Sequence, residues 1–421
     1  MKYIALTIGP IYKTLQNAKK PKELFAASYL FSYIMKKIIE QLKQRTFVIP
    51  YIKDESVFNK KSDVGLFHDR FIFQSQDGDL KRLQEIIDSV LEDVAKKLGS
   101  TLKEIKDYMQ INYIEKELAN DANAIIELMP YLDTKELFFQ VAYENSFTQK
   151  LKKDDIKKDN FLTENKDIID DLKRLSYNGY YCIIHADGDR MGEVIKNRDE
   201  IENISKSLFA FCISSSELIK NYGGQTIFAG GDDLMFIAPP ISKDGEKTVF
   251  ELCEEIEKKF EIKGATLSFG VAINYIKFPL YEALQNSRSL LFDDAKDGKK
   301  DNIAFCITKH SGQSFKTVIH KGNTQLYQRF LQFSNAAIAK EDIGLFLDSM
   351  HHKIETNKKI LENIKDDKER LKNFFDNYFN ESIHENHRAF FDNLVTFLHI
   401  ASIKETYATL RFIKFIKGDK K

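Results

Sequence analysis

Two pairs of aspartates carry the most chemistry in this chain. Asp187 and Asp189 flank Gly188 in "IIHADGDRMG" (183–192), and Asp232 and Asp233 follow Gly230 and Gly231 in "TIFAGGDDLMFIAPP" (226–240). Adjacent carboxylates repel unless water screens them or a cation lies between them. Clustered carboxylate oxygens suit Mg²⁺ or Mn²⁺, which bridge such groups to triphosphates. Two such ions can activate a 3′-hydroxyl and stabilise departing pyrophosphate. Gly188 and Gly192 would let the turn approach a phosphate, with the amides of the following helix start as donors. The plain alternative is that each motif is an acidic glycine turn in water. The apolar runs on both sides, and the DGD placed one helix upstream of the GGDD, point to a metal–nucleotide site.

The elements that must hold these residues come in a repeated order. "KYIALTIG" (2–9) predicts a strand, 21–45 a helix, "TFVIPYI" and "VGLFHDRFIF" strands, 79–99 a helix and "YMQINYI" (108–114) a strand. The order returns with the strand "YYCIIHAD" (180–187), the helix 201–224, the GGDD hairpin, the helix around "TVFELCEEIEKKFE", the strand "ATLSFGVAINY", the helix 279–298 and the strand "NIAFCIT". Each β-α-β-β-α-β unit has the ferredoxin-like layout of palm domains. In that layout the DGD strand and the GGDD hairpin are neighbours, so their acidic tips converge. The fold class is therefore α+β, with two ferredoxin-like palm (nucleotidyl cyclase-like) domains, a helical linker and a C-terminal helical domain. The expected divisions are 1–114, 115–178, 179–310 and 311–421. The run "LKKDDIKKDNFLTENKD" (151–167) suggests a solvated linker or exposed helix. The apolar stripe of 387–415 suits either a partner-docking face or an ordinary bundle core.

Composition sets the bounds. Lys+Arg 63 balance Asp+Glu 63 in 421 residues, which argues against a general nucleic-acid coat. The four cysteines form no CxxC pair, against a zinc ribbon or a disulfide framework. With no signal peptide or membrane span evident, a soluble cytoplasmic protein is expected.

The pair "HADGDRMG" and "FAGGDDLMF" resembles the second palm domain of the large subunit of type III CRISPR effector complexes. "LSFGVAINYIKFPLYEALQNSRSLLFDDAKDGKKDNIAF" is similar to that family's Ser-x-Gly strand, Pro-Leu helix start and Ala-Lys helix end. "IGPIYKTLQNAKKPKELFAASYLFSYIM" resembles the opening of its Cmr-type (III-B) branch. A more distant likeness is to GGDEF diguanylate cyclases. The resemblance implies a subunit that makes cyclic oligoadenylates from ATP when target RNA binds, or in some members joins AMP to S-adenosylmethionine. It also implies partnership with other effector subunits, CRISPR RNA and target RNA. Carried over, Asp187, Asp232 and Asp233 would be catalytic and, with Asp189, would hold metal. Gly188, Arg190, Gly230 and Gly231 would lie against the nucleotide, Ser268 would face the base and Lys296 would reach the triphosphate. Ser268 reads equally as a plain strand serine, and Lys296 as a lysine meeting a helix dipole.

Departures from the family pattern matter as much. The chain opens directly on the palm, where many members carry an HD nuclease domain, and it has no cysteines for a zinc module. His68-Asp69 in "FHDRF" reads as a chance dipeptide. The first palm has "TIGP" and "GLFHDRF" where the second has its acidic tips, so it is expected to bind a second substrate, with Ser28 and Asp69 as candidates. A non-catalytic scaffold with relic carboxylates is the contrasting hypothesis, and a free-standing diguanylate cyclase the third.

Overall fold

The computed structural model describes residues 1–54, 56–59, 65–138, 168–339, 344–377 and 387–417. The charge run at 151–167 lies outside them.

The first sheet holds β1 (Lys2–Gly9), β2 (Phe47–Ile49), β3 (Arg70–Gln74) and β4 (Gln110–Glu117), in the order β2-β3-β1-β4. All its pairings are antiparallel, as the ferredoxin-like layout requires. β1 is buried on both faces because successive side chains point opposite ways. Ile4, Leu6 and Ile8 enter the main core with Leu24, Phe31 and Leu83, while Tyr3 and Ala5 meet Ala124, Ile125, Leu128 and Leu132. The latter belong to the Ala124–Glu136 helix, capped by Asn123.

Local readings shift at the edges. The expected helix 21–45 stops at Gln41, and Leu102–Tyr108 is helical under a Thr101–Glu104 capping box, so β4 starts at Gln110. β2 and β3 are joined by a long connection containing Ser56–Asn59, not by a tight hairpin.

The second sheet holds β5 (Tyr180–Asp189), β6 (Gln225–Gly230), β7 (Asp233–Ala238), β8 (Thr266–Tyr275), β9 (Asn302–Thr308) and β10 (Ser314–His320). Its order is β10-β9-β8-β5-β7-β6. The β8-β5-β7-β6 portion repeats the first sheet's topology. β9 joins β8 in parallel and β10 closes the edge, so this sheet runs beyond residue 310. The Ile201–Tyr222 helix ends on Gly223 in the left-handed region, φ 110°. Gly270 lets the Leu280–Ser289 helix approach β8: a Cβ there would stand 2.3 Å from Ser287 O. That helix continues as a π-turn over Leu290–Ala295.

The two palms share one continuous core. The Pro21–Gln41 helix packs on β6, Phe67 meets Phe209 edge-on at 5.9 Å, and Ser205 Oγ accepts the Tyr51 amide at 2.8 Å. The C-terminal helices pack on the second palm, with Phe250 touching Phe305, Phe330 and Phe412. Phe391, Leu394, Leu398, Phe412 and Ile416 are buried, so the 387–415 stripe is bundle core and not a free docking face. Among the described residues no helix is long and apolar enough to cross a membrane.

Candidate active site

The DGD end of β5 pairs with β8, Asp187 opposite Ser268 and Asp189 opposite Thr266, and runs past its last pair with β7, Ala186 with Leu234. Residues two apart share a sheet face, which turns Asp187, Asp189, Ser268 and Thr266 to one side. Asp189 is fully buried. Its Oδ2 accepts from Ser268 Oγ at 2.7 Å, Thr266 Oγ1 at 2.9 Å and the Asp301 amide at 3.0 Å. Its Oδ1 is buried with no hydrogen-bond partner among the described residues.

Lys296 follows the π-turn and enters the same space. Its ammonium contacts Asp187, stands 3.9 Å from Asp189 Oδ1 and donates to Gly188 O at 2.9 Å. Burial, then the neighbouring Lys300, lowers the ammonium to about 8 despite the contact with Asp187. A charged donor of this kind is chemically suited to carboxylate or phosphate oxygens.

The second carboxylate pair arrives on the β6–β7 hairpin. Gly230 pairs with Asp233 across it, and Gly231 takes φ 66° at the tip. That left-handed turn explains the glycine. Asp232 lies directly against Gly188: a Cβ on that glycine would stand 2.7 Å from Asp232 Oδ2. Burial, then Asp233, raises the Asp232 carboxyl to about 7, offset in part by backbone hydrogen bonds that include Gly188. Asp233 is exposed by surface area, yet protein crowds its carboxyl. That desolvation, then the charge of Asp69, lifts it to about 7, while Arg288 pulls it down.

Asp69 and Arg288 show what the first palm adds. Asp69 stands ahead of β3, near enough for its charge to act on Asp233 across the domain junction. Burial raises its own carboxyl, and Arg70 counters. His68 backs Gly230, where a Cβ would stand 3.2 Å from His68 Cβ. The Arg288 guanidinium stacks over Tyr12 of the first palm at 4.4 Å and lies 5.0 Å from Phe292.

The structure thus brings Asp187, Gly188, Asp189, Asp232, Lys296 and the Gly230–Gly231 turn together, with Asp69 close to Asp233. Three residues sit differently from expectation. Ser268 is fully buried beneath Asp189, donating to it, and does not face an open base site. Arg190 is exposed at φ 60°, and the helix after it, Met191–Val194, is a single turn and offers no extended row of amides. Ser28 is buried on the Pro21–Gln41 helix, its hydroxyl without a hydrogen-bond partner among the described residues. Sequence reasoning missed Thr266, Asp301, Arg288 and Tyr12, whose roles arise only from tertiary contact.

The donor set suits a divalent cation. The clustered carboxylates offer oxygens, one Asp189 oxygen is buried with no hydrogen-bond partner among the described residues, and burial and the charge of Asp233 raise the Asp232 carboxyl, a cost that a bound cation would relieve. Among the described residues no three His, Cys, Asp or Glu side chains form a ready ligand group, and Asp187 is turned to Lys296.

Two ferredoxin-like domains sharing a core, with acidic strand ends in one of them, define a paired-palm protein. Comparison with known proteins agrees. Residues 180–304 match the family model for the second palm domain of Cas10/Cmr2, and residues 3–107 that for the N-terminal part of the CRISPR-associated protein Cmr2. The chain is 30% identical over 223 residues to the CRISPR system Cmr subunit Cmr2 of Pyrococcus furiosus, an alignment covering 44% of this chain and 25% of that protein. It therefore spans about a quarter of the length of that curated relative. In fold it is similar to a type III-B Cmr-beta assembly solved in the apo state (TM-score 0.56, 10% identity, 86% of this chain and 75% of that one). It is also similar to a Csm1–Csm4 cassette solved with pppApA (TM-score 0.56, 13% identity, 99% and 69%). Both palm segments thus match Cas10/Cmr2 family models, and the chain is similar to the Cmr-type subunit Cmr2.

Proposed function

We propose that this chain is the nucleotidyltransferase subunit of a type III CRISPR RNA-guided antiviral complex, making cyclic oligoadenylates from ATP when target RNA binds. One observation carries the reading. Asp187, Asp189 and Lys296 interlock at the end of β5, and Asp232 of the hairpin is seated on the glycine between the two aspartates. A scaffold has no use for carboxylates crowded together and desolvated by the surrounding protein, which oppose folding unless they serve a site. The two family-model matches support the reading, as does the likeness in fold to Csm1–Csm4 cassettes solved with cA3 and with pppApA.

Asp187, Asp189, Asp232 and Asp233 would hold Mg²⁺ or Mn²⁺, which supplies charge neutralisation for the triphosphate and a more acidic 3′-hydroxyl. This chain's own residues do the rest. Lys296 exchanges Asp187 for phosphate oxygens, the turn at Gly231, where a Cβ would meet nothing within 4 Å, admits the nucleotide, while Gly230 is buried against Phe228 and His68, and Asp189 is fixed by three donors so that its second oxygen keeps its aim. The first palm, without acidic tips, holds the second substrate. The partners are the other effector subunits, CRISPR RNA and target RNA.

A second reading is adenylation of S-adenosylmethionine, favoured by Asp69. Its carboxyl faces the junction beside Asp233, where an α-amino group could pair with it. The assembled complex is incubated with labelled ATP, with and without S-adenosylmethionine and target RNA, and the products are weighed by mass spectrometry. Oligoadenylates support the first reading, a single conjugate the second. Absence of any nucleotide product with target RNA present refutes both.

A further inference from the structure

Asp189 takes part of its support from a segment more than a hundred residues along the chain. The amide it binds belongs to Asp301, which with Lys300 adopts positive φ, 55° and 59°. Residues with side chains hold that conformation only where the surroundings enforce it.

The residue that grips this turn is Lys321, at the junction between β10 and the C-terminal helices. Its backbone N–H donates to Asp301 O at 2.9 Å. Its ammonium lies 2.7 Å from Asp301 Oδ1 and 2.5 Å from Glu257 Oε1, with the side chain 2% exposed. One residue thus holds Asp301 by both backbone and side chain. Gly322 leaves the room, since a Cβ there would stand 3.0 Å from Asp301 Oδ2. The next residues repeat the pattern. His320 Nδ1 lies 2.9 Å from Asn302 Oδ1, and Asn302 Nδ2 donates to Ala295 O at 2.7 Å, directly before Lys296.

A lysine buried between two carboxylates is a weak device for stability, because desolvation offsets the attraction. Its geometric effect is plain: it fixes the strained turn whose amide aims Asp189. We infer that Lys321 is a positioning residue for the nucleotidyl-transfer site, clamping the Lys300–Asp301 turn beneath Asp189 and tying the site to the first segment of the C-terminal helical region. The inference rests on the proposed role of Asp189.

The test compares Lys321→Met, which removes the charge, with Lys321→Arg, which keeps it. In the target-RNA-bound complex, Lys321→Met should lower kcat about tenfold or more while KM for ATP stays within about twofold, and Lys321→Arg should recover most of the rate. On the full chain alone, Mn²⁺ affinity followed by electron paramagnetic resonance should fall about tenfold in Lys321→Met, and hydrogen exchange of the Asp301 amide should quicken. These two readings need no turnover. A wild-type complex that makes no nucleotide product therefore sinks the proposed function alone. Wild-type kcat, or wild-type Asp301 exchange and Mn²⁺ affinity, in Lys321→Met sinks the positioning role. So does a loss as large in Lys321→Arg as in Lys321→Met. If Lys321→Met does not fold, Asp301→Asn, which keeps the amide and weakens the ion pair, is read against the same thresholds. If the wild type takes up no Mn²⁺, amide exchange decides.

Discussion

Gly188 and Asp232 are fitted to each other: the aspartate's Oδ2 occupies space that any Cβ on residue 188 would contest at 2.7 Å. The glycine between the two aspartates of β5 is thus the seat for a carboxylate delivered by the hairpin. Gly188→Ala should displace Asp232 and crowd Met191, whose Cγ would stand 2.8 Å away. Product formation should fall by about tenfold to a hundredfold, with about 1–3 kcal/mol of stability lost to overpacking. Product yield and thermal midpoint, measured on the same preparation, check both parts.

Two of the four aspartates should behave oppositely on removal. Asp189→Ala leaves the Thr266 and Ser268 hydroxyls and the Asp301 amide without their buried acceptor. It should cost about 2–4 kcal/mol of stability as well as activity. Asp233→Ala removes a carboxyl that desolvation already penalises, so the thermal midpoint should hold or rise while product is still abolished. Equal melting temperatures for the two variants would contradict the assignment of Asp189 as the buried, fixed member.

The palm junction should loosen in acid through His68. Burial, then Arg70, lowers its imidazole to about 4 from an ordinary 6.5. The folded state therefore resists a proton that the unfolded state accepts. The stability this represents is complete above pH 6.5 and is lost as pH falls from 6.5 to 4. Arg70 itself is held by Glu136 and Asp133 and does not titrate in that window. Denaturant midpoints at pH 7, 5.5 and 4 should fall more steeply for wild type than for His68→Gln; parallel curves would contradict the assignment.

Arg288 stacks on Tyr12 and so joins the palms beside Asp233. Arg288→Lys keeps the charge but loses the planar stack, and should slow product formation by about threefold to tenfold. Initial rates in the target-RNA-bound complex measure this. An unchanged rate would mean the contact is passive.

Much of this was legible in the residues. The eight strands of the two β-α-β-β-α-β units could be read because their apolar runs sit between glycine and proline stops, and the converging acidic tips followed from that order. β10 was missed: "SFKTVIH" is short, its polar and apolar residues do not alternate strictly, and it lies directly before a helical region. The direction of Ser268 was missed because a strand serine reveals its face only once the pairing with Asp187 is known. Asp301 and Lys321 carry no motif at all; only the folded chain brings them under Asp189. The 387–415 stripe fitted both a docking face and a core, and packing against β10 and the Gly344–Thr356 helix decides for core.

The most direct measurement is on the hairpin carboxylates. Asp232→Asn with Asp233→Asn, assembled into the complete complex and given labelled ATP and target RNA, should lose product by about a hundredfold or more while the complex assembles as before. Undiminished synthesis by that double variant would contradict the placement of nucleotidyl transfer at this site.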